Sequence, residues 1–303
     1  MKEKQMKKWS SLALFVAAII WGGTFFIVKN TVDAFPPNLL LAWRFSIAFV
    51  LLGLVCFHCW KKLDWGYLWR GALMGLLLFL AYCVQTIGIQ FTTPGKNAFL
   101  TAVYCVIVPF LYWLTEKKAP DLYNISAALL CILGIGLISL TDDFSIGIGD
   151  GLTLLGGVFY AVHMVVVAKA SRGRDAILLT ILQFGTAAVC SWTSAALFET
   201  TSVQAGAEAI WAVIFLGVAA TGGGMLLQTI GQKYTHPATA SIILSLESVF
   251  GVLFSVLFYG EKMTGKLAAG FILVFIAVII SETKLQFLRK NGKPIQQENA
   301  AEE

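Results

Sequence analysis

Charge is scarce in this chain. Asp, Glu, Lys and Arg make up 13% of its 303 residues, about half the ~25% of a soluble domain. Disorder is excluded, because it needs high charge and low hydrophobicity. A soluble two-domain enzyme is excluded too: 22 Phe and 9 Trp with so few charges leave too little polar surface to coat a globule. Cysteine is sparse, six residues lying in apolar runs, which rules out a disulfide scaffold. His58, His163 and His236 are scattered, and no His-Glu-x-x-His occurs. Cys56-Phe57-His58-Cys59 resembles half a zinc site, but no second Cys/His pair completes it, so no metal is expected. Gly147-Ile148-Gly149-Asp150-Gly151 lacks the Gly-Lys-Ser/Thr of a phosphate loop and reads as a linker. Clustered nucleophiles, bases and metal ligands are missing, so neither an enzyme nor a cofactor is expected.

What is there is apolar length. Hydrophobic residues make up 58% and the mean hydropathy is +0.78. A helix needs about 20 apolar residues to cross the hydrocarbon. Ten stretches qualify: 10–28, 39–58, 69–90, 98–115, 123–140, 151–169, 177–198, 209–230, 238–259 and 266–283. They are too long and uniform for the alternating strands of an outer-membrane barrel. Backbone in lipid must satisfy itself, so they are helices. The expectation is an all-α, multi-pass membrane protein. The first span also carries a basic start and Val16-Ala17-Ala18, the outline of a signal peptide, but it is long for one and has a partner later in the chain.

With the N-terminus cytoplasmic, seventeen Lys and Arg fall inside and four (Lys29, Lys96, Lys262 and Lys266) outside, with Arg44 within a span. The positive-inside rule then puts both termini in the cytoplasm. The net charge of +5 is a topology signal and calls for no nucleic acid.

The chain repeats itself. Gln85-Thr86-Ile87-Gly88-Ile89-Gln90-Phe91-Thr92-Thr93-Pro94 ends span three, and Gln228-Thr229-Ile230-Gly231-Gln232-Lys233-Tyr234-Thr235-His236-Pro237 ends span eight. Six of ten positions are identical, at an offset of 143. Trp43-Arg44-Phe45 falls opposite Leu182-Gln183-Phe184, Trp21-Gly22 opposite Tyr160-Ala161, and Glu116-Lys117 opposite Glu261-Lys262. The parts read as a cytoplasmic start (1–9), a five-helix repeat (10–140), a linker (141–150), a second five-helix repeat (151–283) and a cytoplasmic polar tail (284–303). Five is odd, so the halves enter the membrane from opposite sides. Inverted repeats of this kind are a transporter device, because two similar halves can exchange shapes.

Polar residues inside spans mark the candidate site. Glu247 lies near the middle of span nine, where a charge costs about 2.5–3.5 kcal/mol, and reads as a substrate-binding or proton-coupling group. His163, midway along span six, either binds substrate, relays protons or is a neutral structural imidazole. Arg44 either snorkels, binds an anionic group or pairs with an acid such as Glu247. Gln85 and Gln228 are equivalent and either line one cavity or bond between helices. Trp21, Thr24, Phe25, Tyr82 and Tyr104 are candidate walls, and Tyr104 aligns with Glu247 at the 143 offset. Thr221-Gly222-Gly223-Gly224 interrupts span eight at its middle, and Pro109 should kink span four, so these glycines and Pro109 are candidate hinges. Ser241, Ser245, Ser248 and Ser255 form a small-residue stripe suited to packing, and Gly71-x-x-x-Gly75 does the same in span three.

These residues resemble a known family. Trp21-Gly22-Gly23-Thr24-Phe25, Ala42-Trp43-Arg44-Phe45, Tyr104 through Pro109-Phe110, Leu246-Glu247-Ser248-Val249-Phe250 and Gly260-Glu261 are similar, in order and spacing, to the EamA branch of the drug/metabolite transporter superfamily. The likeness covers about 10–283. Where that family often has Pro after the span-nine acid, this chain has Ser248, and Thr115 replaces the Gly before the first closing Glu. The resemblance implies a carrier in the bacterial cytoplasmic (inner) membrane, often an exporter of amino acids, other metabolites or toxic compounds. The expected function is secondary transport of a small organic solute by alternating access. The alternative is a passive channel, which would need a more continuous polar pore. Expected partners are the solute and the lipid bilayer. Protons as coupling ion and a homodimer stay open.

Overall fold

The computed structural model describes residues 2–117, 119–139, 146–200, 203, 205–234 and 237–285. The repeat positions Thr235 and His236, most of the connection between the halves and nearly all of the polar tail lie outside the described residues. Twelve α-helices form the described chain: α1 (Lys2–Thr31), α2 (Pro37–Val55), α3 (Trp65–Gln90), α4 (Pro94–Thr101), α5 (Tyr104–Glu116), α6 (Leu122–Ser139), α7 (Ile148–Ala170), α8 (Ala176–Phe198), α9 (Ala207–Phe215), α10 (Gly224–Tyr234), α11 (Pro237–Phe254) and α12 (Gly265–Thr283). Seven segments are long and apolar enough to cross a membrane, and three further apolar helices, Leu122–Ile138, Ile243–Tyr259 and Gly265–Ser281, are shorter.

The helix ends follow local chemistry. Asp64, Thr93, Asp175 and Thr264 accept backbone N–H groups at the starts of α3, α4, α8 and α12. Pro37 and Pro94 open their helices, where the missing N–H is no loss. Gly260 closes the ninth apolar stretch with φ 77°, a left-handed conformation glycine adopts without strain.

Packing runs between the halves. α1 lies along α11, α2 along α8, α3 along α7 and α8, α6 along α12, and α4 along α11. Exchanging the halves maps these pairs onto one another: α1 on α11 becomes α5 on α7, and α3 on α7 becomes α10 on α1, both of which are present. Lipid tails are as apolar as the side chains, so close fit drives this association. At the α6–α12 crossing a Cβ on Gly134 would sit 2.9 Å from the Gly270 carbonyl oxygen. On Gly22 it would sit 2.9 Å from the Glu247 carbonyl oxygen, so α1 and α11 meet backbone to backbone beside the acid.

Four expected boundaries differ. Span two stops at Val55, and Cys56–Cys59 leads into a short 3-10 turn (Phe57–Lys62) beyond the helix. Among the described residues no cluster could hold a metal. The expected linker ends early, because α7 begins at Ile148; Asp150 in its first turn suits the positive helix end. Span four is two helices, broken at Ala102 and Val103 upstream of Pro109. Pro109 has no N–H for the Cys105 carbonyl, and Ser281 Oγ donates to it at 3.4 Å instead. Span eight is not unwound at its glycines. A π-helical stretch, Leu216–Gly223, joins α9 to α10, with Thr221 Oγ1 donating to the Leu216 carbonyl five residues back at 2.8 Å.

Candidate functional site

The repeat motif of α3 and α10 and the polar residues of α1, α2, α7, α8 and α11 converge on one space. It is a cavity of about 650 Å³, walled by both halves. Trp21, Arg44, Tyr82, Gln85, Tyr104, His163, Gln228 and Glu247 all line it, as do Thr24 and Phe25. Of the hinge candidates, Gly224 touches the indole of Trp21, while Pro109 lies away from the cavity wall.

Each side chain has a definite setting. Tyr104 Oη donates to Glu247 Oε1 at 3.2 Å, so two residues related by the 143 offset meet each other. Trp21 Nε1 donates to the Ala220 carbonyl at 2.7 Å, in the π-helical stretch where backbone bonding is loosened. Arg44 does not snorkel: it is 3% exposed, and Nε donates to Thr221 Oγ1 at 2.5 Å. His163 Nε2 lies 3.0 Å from Gln183 Oε1, an acceptor, so Nε2 carries the proton of this contact.

Gln85 and Gln228 have diverged. Gln85 Nε2 donates to Thr101 Oγ1 at 2.8 Å, and its Oε1 accepts from Tyr160 Oη at 2.9 Å. Its amide is spent between helices. At the 143 offset Thr101 becomes Leu244, which can accept nothing. Gln228 accordingly has no hydrogen-bond partner among the described residues and keeps its amide for the cavity.

Sequence reasoning overlooked four lining groups. Tyr160 and Gln183 were noticed only as repeat equivalents of Trp21 and Arg44; that equivalence, applied to function, would have found them. Thr101 carries the same signal as Gln85, a polar side chain among apolar ones, whereas Asn97 follows Lys96 just before the expected span and carries no such signal. Asn97 is fully buried and Nδ2 donates to Thr153 Oγ1 at 2.8 Å, while its Oδ1 has no partner among the described residues.

The cavity reaches one end of the bundle. Its lining runs along α7 and α8 to Ser171 and Ala176. The opposite end is tied by polar contacts, both between the halves and within them. Glu261 accepts from Ser255 Oγ at 2.5 Å, from Gly95 N at 3.1 Å and from Thr93 Oγ1. Glu199 accepts from Asn38 N and Nδ2, both at 2.8 Å, and from Leu39 N at 2.9 Å. Asp150 accepts from Thr92 Oγ1 and pairs with Lys96 at 3.2 Å. Lys29 Nζ donates to the carbonyls of Ile89 and Gln90 at 2.8 and 2.9 Å, closing the end of α3.

Residues 8–140 and 147–283 each match the EamA-like transporter family. An uncharacterized transporter of Archaeoglobus fulgidus is 32% identical over 90% of this chain and 85% of its own length. YoaV, an uncharacterized transporter of Bacillus subtilis, is 23% identical over 89% of this chain and 95% of its own. A solved crystal structure superposes with a TM-score of 0.65 at 18% identity, covering 93% of this chain and 99% of that one, which establishes a shared fold.

Proposed function

The chain belongs to the EamA-like transporter family, and from that premise we propose that it is a secondary transporter moving a small polar or amphipathic organic solute, outward, by alternating access. In this reading ten spans form two inverted five-helix repeats, 10–140 and 151–283. The three shorter helices complete the ten. Both termini are cytoplasmic, in the cytoplasmic membrane of a bacterium. The Ser171–Ala176 end of the cavity then faces the cytoplasm, and the end tied by Glu261, Glu199 and Asp150 faces outward.

The observation that carries the proposal is the cavity itself. It lies between the halves, takes polar groups from both, and extends to one end while the other is tied shut. A volume of about 650 Å³ falls within the ~300–1,000 Å³ of small-molecule sites. Repeats that exchange shapes would open the tied end and close the other. The π-helical stretch with Gly222 and Gly223, Gly224 just after it, and the break before Pro109 interrupt the regular α-helical ladder, and we assign the bending to them. Glu247, Arg44, Gln228, His163, Trp21, Tyr82, Tyr104 and Gln85 form the binding wall, with Glu247 as the group that senses solute or proton.

Reconstitution tests this. Preloaded proteoliposomes should show solute counterflow that saturates, and planar bilayers should show no unitary currents. Glu247→Gln, expressed and folded normally, should lose net transport. Unitary currents would establish the passive channel instead, and unchanged transport by Glu247→Gln would remove the role given to that acid.

A further inference from the structure

Arg44 is a buried cation that no carboxylate partners among the described residues. It is 3% exposed and lines the cavity. Nε donates to the Thr221 hydroxyl at 2.5 Å, and Nη2 reaches Tyr82 Oη at 3.5 Å. The guanidinium carbon lies 4.7 Å from the centre of the Tyr82 ring. These partners are neutral. Nη1 has no acceptor, and no carboxylate pairs with Arg44 among the described residues. A guanidinium cannot discharge by losing its proton, and a buried charge without a partner is costly. Glu247, the acid of the same cavity, is engaged by Tyr104.

The two charged groups lie at opposite ends of an aromatic wall. Tyr82 and Tyr160 meet edge to face at 5.4 Å, and Tyr160 and Tyr104 follow at 6.3 Å. A cation thus stands at one end of a row of three rings and an acid at the other. Resting on the transport reading of this cavity, we propose that the site takes an organic anion: a carboxylate docks on the free edge of the Arg44 guanidinium, and an apolar or aromatic body lies along the tyrosine wall. The planar fork of arginine suits a carboxylate, and tyrosine faces suit a flat hydrocarbon.

Three probes of one shape test the charge preference: 3-phenylpropionate, 3-phenylpropanol and 3-phenylpropylamine, with sodium chloride at matched ionic strength. Melting of the full chain in detergent is followed for the wild type, Arg44→Gln and Arg44→Lys. The carboxylate alone should raise the melting temperature saturably. Arg44→Gln should weaken it by about tenfold or more, and Arg44→Lys by less, since the charge stays and the fork is lost. If Arg44→Gln does not fold, the lysine variant must still prefer the carboxylate.

Equal stabilisation by the alcohol, the amine or chloride overturns the proposal. So does a carboxylate without effect, or one that Arg44→Gln leaves undisturbed. Counterflow of the same probes separates the two readings. A carboxylate that binds without exchanging supports the anion site and removes the transport reading; an exchanged alcohol or amine, with the carboxylate ignored, keeps transport and removes the anion site.

Discussion

The two ends of the bundle close in different ways. At the tied end two carboxylates are withdrawn from water, Asp150 at 4% exposed and Glu261 at 8%, and Glu199 is half-buried. Glu261 and Glu199 take donors at helix starts, Thr93 and Gly95 for Glu261 and Asn38 and Leu39 for Glu199, while Asp150 takes the Thr92 hydroxyl and the Lys96 ammonium. At the cavity mouth the charged pairs are wet. Lys62–Asp175 spans 2.5 Å with the lysine side chain 59% exposed, and Arg174–Asp64 spans 3.6 Å with the aspartate 59% exposed. Wet pairs contribute little and part easily. Desolvated carboxylates that complete helix starts are costly to separate, because their donors are left unpartnered. Closure in this structure is therefore held at the tied end and not at the mouth.

The contrast can be broken most strongly at Glu261. Glu261→Ala leaves the Ser255 and Thr93 hydroxyls and Gly95 N–H without their acceptor. Thermal unfolding in detergent should show a loss of roughly 2–4 kcal/mol, and the tied end should become accessible to water. Glu199→Gln is the next test. One oxygen remains for the start of α2 but the charge is gone, so the expected loss is about 1 kcal/mol.

The smallest effect belongs to the mouth. Burial pulls the Asp175 carboxyl upward, but hydrogen bonds from Lys62 and from the Leu178 and Ile177 N–H groups outweigh it and hold the carboxyl below its ordinary value. A carboxyl depressed in the folded state stabilises above its unfolded value of about 3.9, and that contribution is lost as pH falls through the folded value. Melting curves between neutral and strongly acidic pH should therefore decline on acidification. Asp175→Asn should flatten that decline slightly and leave the tied end closed. A mouth variant that destabilised the protein more than Glu261→Ala would erase the contrast between the ends.

Much of the cavity was legible because polar atoms inside apolar spans are expensive, so Glu247, His163, Arg44 and the paired glutamines stood out singly. The offset of 143 went further, aligning Tyr104 with Glu247, and those two side chains touch. What the repeat could not reveal is divergence in use. Gln85 and Gln228 are the same residue at equivalent places, yet only Gln85 finds Thr101 and Tyr160. That depends on the neighbouring helix, which a one-dimensional match does not contain. The tied end was illegible for a related reason. Asp150 looked like part of a linker and Glu261 like a span-closing residue, because polar residues near helix ends are ordinary until their partners are known. The break at Ala102 and Val103 also escaped notice: proline marks where a helix loses a bond, while packing decides where it bends.

In the proposed mechanism one cavity is reached from alternate sides. Thr24 lines it from α1. Thr24→Cys, in a chain whose six native cysteines are replaced, can be exposed to a membrane-impermeant thiol reagent in vesicles of either orientation. Alternating access requires fast labelling from the cytoplasmic side, slow labelling from outside, and faster outside labelling once Glu261→Ala is added. Labelling equally fast from both sides would mean an open pore, and no labelling from outside even with Glu261→Ala would mean that the tied end never opens; either would contradict it.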